Sequence, residues 1–550
     1  MAFQDVLTDQ VPVITPLSRP QPDGVLGTLV AIDRTHVTVS GSTASFQHGC
    51  SVGHHVTITR PDSRAVGIVS QITIEETQGP HATRVVNILI ELIGEIRSDG
   101  AGHDQYHRGL RHYPELGAPC STIHPRDLAA IYAFHAEDGI EIGRLSNNAT
   151  IPALINVHEL LTRHFAIMGS TGTGKTTGVA MLMRRCLAEV ESLRVLILDP
   201  HNEYQAHFPD NSLLLNADNL EIPFWMFRFE EIADIIYSGR NPSADESDAL
   251  HDVIRSARIR YSQNQSTAPM TLRRAPASEH ASISADTPTP FRINDAINII
   301  DEWMGQLERR YSVNDLRALR NRLELLARDP RYKFMFQTAL VEDNMPEIIA
   351  KIFRIPQEGK PVCIVELGGL PNEVVNSVVS VLGRLAFEIS FWSGGEYEIC
   401  IICEEAHRYV PRDQTLGFGP TRQSLGRIAK EGRKYGVSLG IITQRPAEVD
   451  PTVLSQCSTM FAMRMPNDTD KAIIRNALSE YSASLVGILP SIADREAIAF
   501  GEAIPTPMRM TFAESRRRVD PTARLRILSA AGHETAMTRI VARLRGEHMV

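Results

Sequence analysis

The sequence predicts an α/β chain, and three observations carry that expectation. A glycine-rich turn from Gly169 to Thr176 stands between an apolar strand and a helical pattern. Short apolar runs recur after it, separated by helical stretches and ending in polar side chains, as in a parallel sheet with crossover helices. Ahead of it, residues 25 to 95 alternate apolar and polar with period two. At 550 residues the chain is too long for one ordinary domain, and its 43% hydrophobic residues suffice for a sizeable core.

The N-terminal alternation runs through Val37 and Val39, then Val56 and Ile58, then Val86, Ile88 and Ile90, with turn clusters at Pro22 to Gly24 and Arg60 to Arg64. Short strands between turns suggest a small β-barrel over residues 1–96. His36, His48, His54 and His55 lack acidic or cysteine partners at ligand spacing, so they read as polar-face residues. Residues 97–155 look irregular and are expected to form a connector.

Gly169 to Thr176 reads GSTGTGKT, after the apolar Phe165 to Met168 and before a helix reaching about Glu189. Backbone amides and the positive end of a helix converge there on an anion. A glycine-rich turn alone would mean little. With strand, turn, lysine, hydroxyl and helix in register, the segment reads as a nucleoside triphosphate site. Gly169, Ser170, Thr171, Gly172, Thr173 and Gly174 form the cradle, and Thr177 closes it. Lys175 is expected at the β and γ phosphates, and the Thr176 hydroxyl on a magnesium ion.

A second buried strand, Arg194 to Asp199, ends in a carboxylate on the ligand-binding edge. Asp199, and Glu203 in the DPHNEY that follows, are candidates for arranging the metal's water shell; the alternative is a plain turn. A third strand, Val362 to Leu367, leads into a helix from about Asn372 to Trp392. The fourth, Glu398 to Glu405, ends in two acids that divide the labour of hydrolysis. Glu404 belongs near the magnesium ion, through water because glutamate is long, and Glu405 polarises the attacking water. A fifth strand, Val437 to Gln444, ends in a polar residue suited to sensing a γ-phosphate, and Ser458 to Met465 forms a further strand.

Residues 220–360 turn helical and form an insertion that divides the core into 156–219 and 361–515. Gln263 to Pro290, rich in Ser, Thr, Ala and Pro, reads as a mobile loop. Between Thr421 and Lys434, Arg422, Arg427, Lys430, Arg433 and Lys434 face Glu431 alone, in a chain whose net charge is −9. Such a run is commonly a solvated helix face. Two functional readings compete with it: contacts to DNA phosphates, or an arginine finger for a neighbour's site, with Arg433 the first choice and Arg427 the second. The arginine-rich tail, 516–550, suits a subunit contact, a nucleic-acid contact or a plain terminal helix equally.

The negative net charge argues against a generally basic surface, so any nucleic-acid contact must be local. The seven cysteines are scattered; Cys400 and Cys403 share a strand and read as core residues in a reducing compartment, not as a metal site. No apolar run approaches the length of a membrane span, and the N-terminus lacks a signal peptide's pattern. A soluble cytoplasmic protein with no membrane partner is expected.

Taken together, Arg163 to Thr176, Ile197 to Tyr204, Cys403 to Pro411, Arg427 to Pro446 and Val453 to Met465 resemble the HerA bipolar DNA translocases of the HerA/FtsK superfamily. The resemblance spans roughly residues 20 to 515. It implies a RecA-like P-loop ATPase core behind a HAS-type barrel, using ATP and magnesium. It also implies a homo-hexameric ring that threads double-stranded DNA, and a partner, either a NurA-like nuclease or a phage-defence effector. Carried onto this sequence, Lys175 and Thr176 bind phosphate and metal, Asp199 assists the metal, Glu405 is the base and Gln444 the sensor. Arg163 matches a family arginine that approaches the nucleotide of an adjoining subunit. Asn202 departs from the family's usual glycine. An ATP-gated scaffold that assembles and regulates an effector nuclease without processive movement is the alternative. A small-molecule kinase fits less well, because it has no need of an activated water.

Overall fold

The computed structural model describes residues 24–514 except 44–49, 77–83, 99–103, 133–138, 238–239, 241, 266–282, 308–309, 337–341, 356–359 and 479. Most of the Ser/Pro-rich loop and all of the arginine-rich tail therefore lie outside the described residues, as does His48. The chain divides into two compact units, 1–133 and 134–550.

The first unit is the expected barrel, built from a sheet in the order β2-β1-β7-β3-β4-β5-β6 that a further β2–β5 pairing closes. Its strands are β1 (Val25–Asp33), β2 (His36–Ser42), β3 (His55–Thr59), β4 (Ser63–Glu76), β5 (Arg84–Ser98), β6 (Asp104–Arg108) and β7 (Pro119–Thr122). Alternate residues point inward, and Val37, Val39, Val56, Ile58, Ile88 and Ile90 form one apolar core. Register shifts at Val66/Gly67 and Val69/Gln71 bend the long β4, which lets the sheet curl onto itself.

Two expectations change here. The segment 97–155 is not an irregular connector. β6, β7 and helix α1 (Pro125–Tyr132) belong to the barrel unit, and β7 lies between β1 and β3 as one of its staves. Its short alternation had been hidden by the Gly and Pro around it. His55 is likewise buried rather than polar-facing: its Nε2 lies 3.1 Å from the Tyr132 hydroxyl, and burial pushes its pKa down to about 4.

The second unit is organised on a sheet in the order β12-β13-β11-β14-β15-β10-β16-β17-β18-β8-β9. Strands β10 (His164–Met168), β11 (Leu193–Asp199), β12 (Ser212–Leu215), β13 (Val362–Glu366), β14 (Glu398–Cys403), β15 (Val437–Thr443) and β16 (Cys457–Ala462) pair in parallel. β10, β11 and β15 are buried along their whole length, as parallel strands covered on both faces must be. Cys400 and Cys403 are both buried in β14. The sheet continues antiparallel through β17 (Glu496–Gly501), β18 (Met508–Phe512), β8 (Gly139–Leu145) and β9 (Pro152–Asn156), strands absent from the sequence reading.

Helix α2 (Val157–Thr162) precedes β10, and α3 (Lys175–Glu189) follows the glycine-rich turn, burying Val179, Leu182, Met183 and Cys186. The helical insertion connects the parallel neighbours β12 and β13. It contains α4 (Phe229–Tyr237), α5 (Ala244–Gln265), α6 (Ile293–Gly305), α7 (Val313–Arg328), α8 (Lys333–Phe336) and α9 (Met345–Phe353). The insertion shares its apolar core with the sheet. Its fully buried Arg258 donates to the carbonyls of Trp225 and Phe227, which satisfies part of a charge that burial otherwise penalises.

Helix α10 (Asn372–Trp392) contains a stretch, Val374–Trp392, whose length and mean hydropathy of 1.5 would allow it to cross a membrane, contrary to the sequence reading. Interspersed Ser377, Ser380, Gly383, Arg384 and Glu388 had broken the run to the eye. Of that window 72% is buried within the protein, and α10 packs on α4 and on α11 (Gly419–Glu431) as a core helix. Helices α12 (Pro451–Ser455) and α13 (Asp468–Ala477) flank β16 in sequence.

Gly440, in the middle of β15, shows how tightly the strands under the site are packed. A Cβ there would stand 2.6 Å from the Phe165 ring and 2.7 Å from the Ile402 Cδ1 atom, on the strands to either side. Gly440→Ala is expected to cost about 1–3 kcal/mol of stability, read as a lower thermal midpoint of the purified protein.

Candidate nucleotide site

The glycine-rich turn leaves the end of β10, the strand that β15 and β16 flank, and closes at the first residue of α3. Gly172 and Gly174 have φ of 79° and 98°, a left-handed backbone that glycine adopts without strain. No atom lies within 4 Å of where a Cβ on Gly172 would stand, so the cradle is open to a ligand. Lys175 is buried at the head of α3, its Nζ donating to the Ser170 carbonyl at 3.3 Å. The Thr176 hydroxyl donates to Glu203 Oε2 at 2.9 Å.

Asp199 ends β11 in the expected place, but its oxygens face backbone amides. Oδ1 accepts from His201 N at 3.2 Å and Oδ2 from Tyr204 N at 2.9 Å. Burial raises its pKa, and those amide bonds act against the rise. Asp199 thus fixes the turn that sets Glu203 at Thr176, and Glu203 is the carboxylate that meets the Thr176 hydroxyl.

The same turn presents Tyr204, fully buried, whose hydroxyl donates to Glu404 Oε2 at 2.5 Å. Glu404 follows β14, and its pKa is pushed up to about 7 chiefly by burial, while the Tyr204 hydroxyl and the Lys175 charge act in the opposite direction. Glu405 adopts a left-handed backbone, φ 53° and ψ 47°, uncommon for a side chain of this kind and a form of strain that collects at functional sites. That turn sends two adjacent carboxylates in different directions. Glu405 is buried, with Oε1 3.7 Å from His201 Nε2 and Oε2 3.3 Å from His407 Nδ1. Among the described residues its Oε2 accepts no hydrogen bond. His407 Nδ1 is also 3.2 Å from the Thr443 hydroxyl at the end of β15. The next residue, Gln444, accepts from the Thr171 hydroxyl at 2.5 Å.

Lys175, Thr176, Asp199, Glu404, Glu405 and Gln444 therefore gather on one edge of the sheet. The three arginines do not. Arg163 sits where β10 begins, paired with Glu159 at 3.1 Å and with Glu502. Arg433 is exposed in the turn before β15 begins. Because these strands are parallel, both residues lie on the edge opposite the cradle, a strand length of about 17 Å away. Arg427, half exposed on α11, lies over the Phe387 ring at 4.1 Å and 3.5 Å from Glu431, so packing accounts for much of its placement.

Sequence reasoning gave no role to Tyr204, His201 or His407, although the first two stand in DPHNEY and the third in the Cys403 to Pro411 segment. Their signal is adjacency: a polar residue a few positions beyond a strand-ending acid folds back onto the site.

The raised Glu404 pKa fixes a sign. Between the ordinary carboxylate value of 4.5 and about 7, the folded protein holds a proton that the unfolded chain has released. Stability from this group therefore falls as pH rises through that window. Thermal midpoints measured across it, on nucleotide-free and metal-free protein, are expected to fall less with rising pH in Glu404→Gln than in the wild type.

Residues 140–386 match the family model described as the central domain of helicase HerA. The chain is 26% identical over 410 residues to the DNA double-strand break repair helicase HerA of Pyrococcus furiosus, covering 68% of this chain and 69% of that protein. It is 26% identical over 485 residues to the protein of the same name from Sulfurisphaera tokodaii, covering 83% and 87%. Among solved structures, VirB4 of Thermoanaerobacter pseudethanolicus aligns over 70% of this chain and 98% of its own, at 15% identity and a TM-score of 0.48. With the complete P-loop, the acid pair and the barrel ahead of them in sequence, the chain is similar to the HerA helicases.

Proposed function

We propose that this chain is an ATP-hydrolysing DNA translocase that assembles as a hexameric ring around duplex DNA and works with a nuclease or a phage-defence effector. The observation that carries the reading is the buried Glu405, held on a strained turn beside the cradle, with one carboxylate oxygen that accepts no hydrogen bond among the described residues. A kinase has to keep water away from the γ-phosphate. A carboxylate poised to take a proton from water suits hydrolysis.

In this reading Lys175 binds the β and γ phosphates, and Gln444 exchanges Thr171 for the γ-phosphate. Magnesium, when bound, neutralises charge between the phosphate oxygens. Thr176 holds it, with Glu203 and Glu404 acting on its water shell and Asp199 fixing the turn. Among the described residues no cluster of His, Cys, Asp and Glu could hold a metal alone, which suits an ion that arrives with its nucleotide.

Arg163 and Arg433 stand on the sheet edge away from the cradle of their own copy, so any action on a phosphate falls on a neighbour's. That geometry supports a ring, with Arg433, exposed and in a short turn, as the finger. The exposed Lys430 and Lys434, with the half-buried Arg422 of the same region, supply sequence-independent phosphate contacts in a chain that is otherwise acidic. The names of the relatives, DNA double-strand break repair helicases, support duplex DNA as the track.

Glu405→Gln is expected to bind ATP normally and to lose at least about 100-fold in turnover, measured as phosphate release. Ordinary turnover in that variant would remove Glu405 from its role. Lys175→Ala should lose nucleotide binding. Duplex DNA should stimulate the wild-type rate, and native mass measurement with nucleotide and DNA should find the hexamer. Mixing Arg433→Ala with Glu405→Gln copies should restore part of the hydrolysis that each lacks alone; no recovery would place the arginine's action within its own copy.

A further inference from the structure

The cradle has two flanks. On one, β15 carries Gln444 to Thr171, and β14 beyond it carries Glu404 and Glu405. On the other, the chain leaving β16 and the chain entering β17 dock against the loop. Ser170 donates from its amide and hydroxyl to the Arg464 carbonyl, at 2.9 and 3.0 Å. Arg495 donates its amide to the Thr173 carbonyl at 2.8 Å. The Cγ of Arg495 lies 3.0 Å from where a Cβ on Gly174 would stand, so this side chain runs along the loop at the point where α3 begins.

Arg495 holds φ of 64°, a left-handed backbone that costs a non-glycine residue energy. Its guanidinium meets Glu514 at 3.1 Å, and that carboxylate is 69% exposed. Arg464 meets Asp494 at 2.7 Å, and that carboxylate is 63% exposed. Ion pairs on such exposed partners are weak and easily exchanged. Two cations thus stand beside the cradle, each on a carboxylate that a stronger anion would displace.

The direction of the nucleotide follows from the flanks. With the γ-phosphate toward Glu405 and Gln444, the α-phosphate and nucleoside leave toward the other side, where Arg495 stands. We propose that Arg495 is a nucleotide-binding residue acting within its own copy, exchanging Glu514 for the α-phosphate end of a bound nucleoside di- or triphosphate, with Arg464 beside it. The inference rests on the ATPase reading and adds to it a cation distinct from the finger lent by a neighbour. The contact is made alike with ATP, ADP and the transition state. It therefore strengthens binding uniformly and acts on KM, not on kcat.

The test uses full-length protein and titrations with magnesium ADP and ATP. Arg495→Gly removes the guanidinium and suits the left-handed backbone, so its thermal midpoint should not fall. The Kd for ADP and the KM for ATP are expected to rise about tenfold, with turnover at saturation retained. Arg495→Lys should recover part of the loss, and Glu514→Gln, which frees the arginine, should tighten ADP. Arg495→Gly binding ADP as tightly as the wild type would overturn the inference while leaving the ATPase reading intact, as would a fall in kcat at unchanged KM. A wild-type protein that binds neither nucleotide would overturn both.

Discussion

The site depends on one buried hydrogen bond, from the Tyr204 hydroxyl to the Glu404 carboxylate. It ties the turn after β11 to the residue that follows β14, the parallel strand paired with β11. Everything placed by that turn follows from it: Glu203 against Thr176, and His201 toward Glu405. A carboxylate buried without a donor would cost several times what the bond contributes. The pair is therefore kept together by the penalty of separating it as much as by its own attraction. The amides that bind Asp199 hold the other end of the same turn.

The parallel sheet divides the remaining labour between its edges. Strand tips on one side bring Glu404, Glu405 and Gln444 to the cradle, and strand origins on the other present Arg163 and Arg433. A ring of such units would set the tip edge of one copy against the origin edge of the next, so that each nucleotide is completed from two chains. Glu405, on its left-handed turn, is the point where this arrangement stores strain. Its neighbour His407 reaches the Thr443 hydroxyl, which places the acid pair in contact with the end of the strand that carries Gln444.

Much of this was legible in the sequence, for identifiable reasons. The cradle, Asp199, the acid pair and Gln444 all lie at the ends of unbroken apolar runs, and a run that is buried on both faces announces its own tip. The barrel's long strands were equally plain in their alternation. What escaped was of three kinds. β7 and β8 are short, and glycine and proline around them imitate a connector. β17 and β18 lie beyond β16, the last strand expected from the sequence. Arg495 left no trace at all, since a left-handed backbone on an arginine obeys no composition rule and appears only as a φ angle. Asp199 ends β11 as expected, but a pattern of letters does not reveal that backbone amides reach its carboxylate.

The antiparallel end of the large sheet has a consequence for how this chain is made. β8 precedes the cradle in sequence, yet its partner is β18, and the hydroxyls of Ser146 and Thr511, 365 positions apart, are 3.1 Å from each other. A hairpin of β8 and β9 emerging from the ribosome has no strand to lie against until nearly the whole core has been synthesised. Such a distant pairing delays the search for the native state and leaves one strand edge bare in the meantime. For this protein β18, the last strand in sequence, is the clasp that joins β8 and β9 to the rest of the sheet.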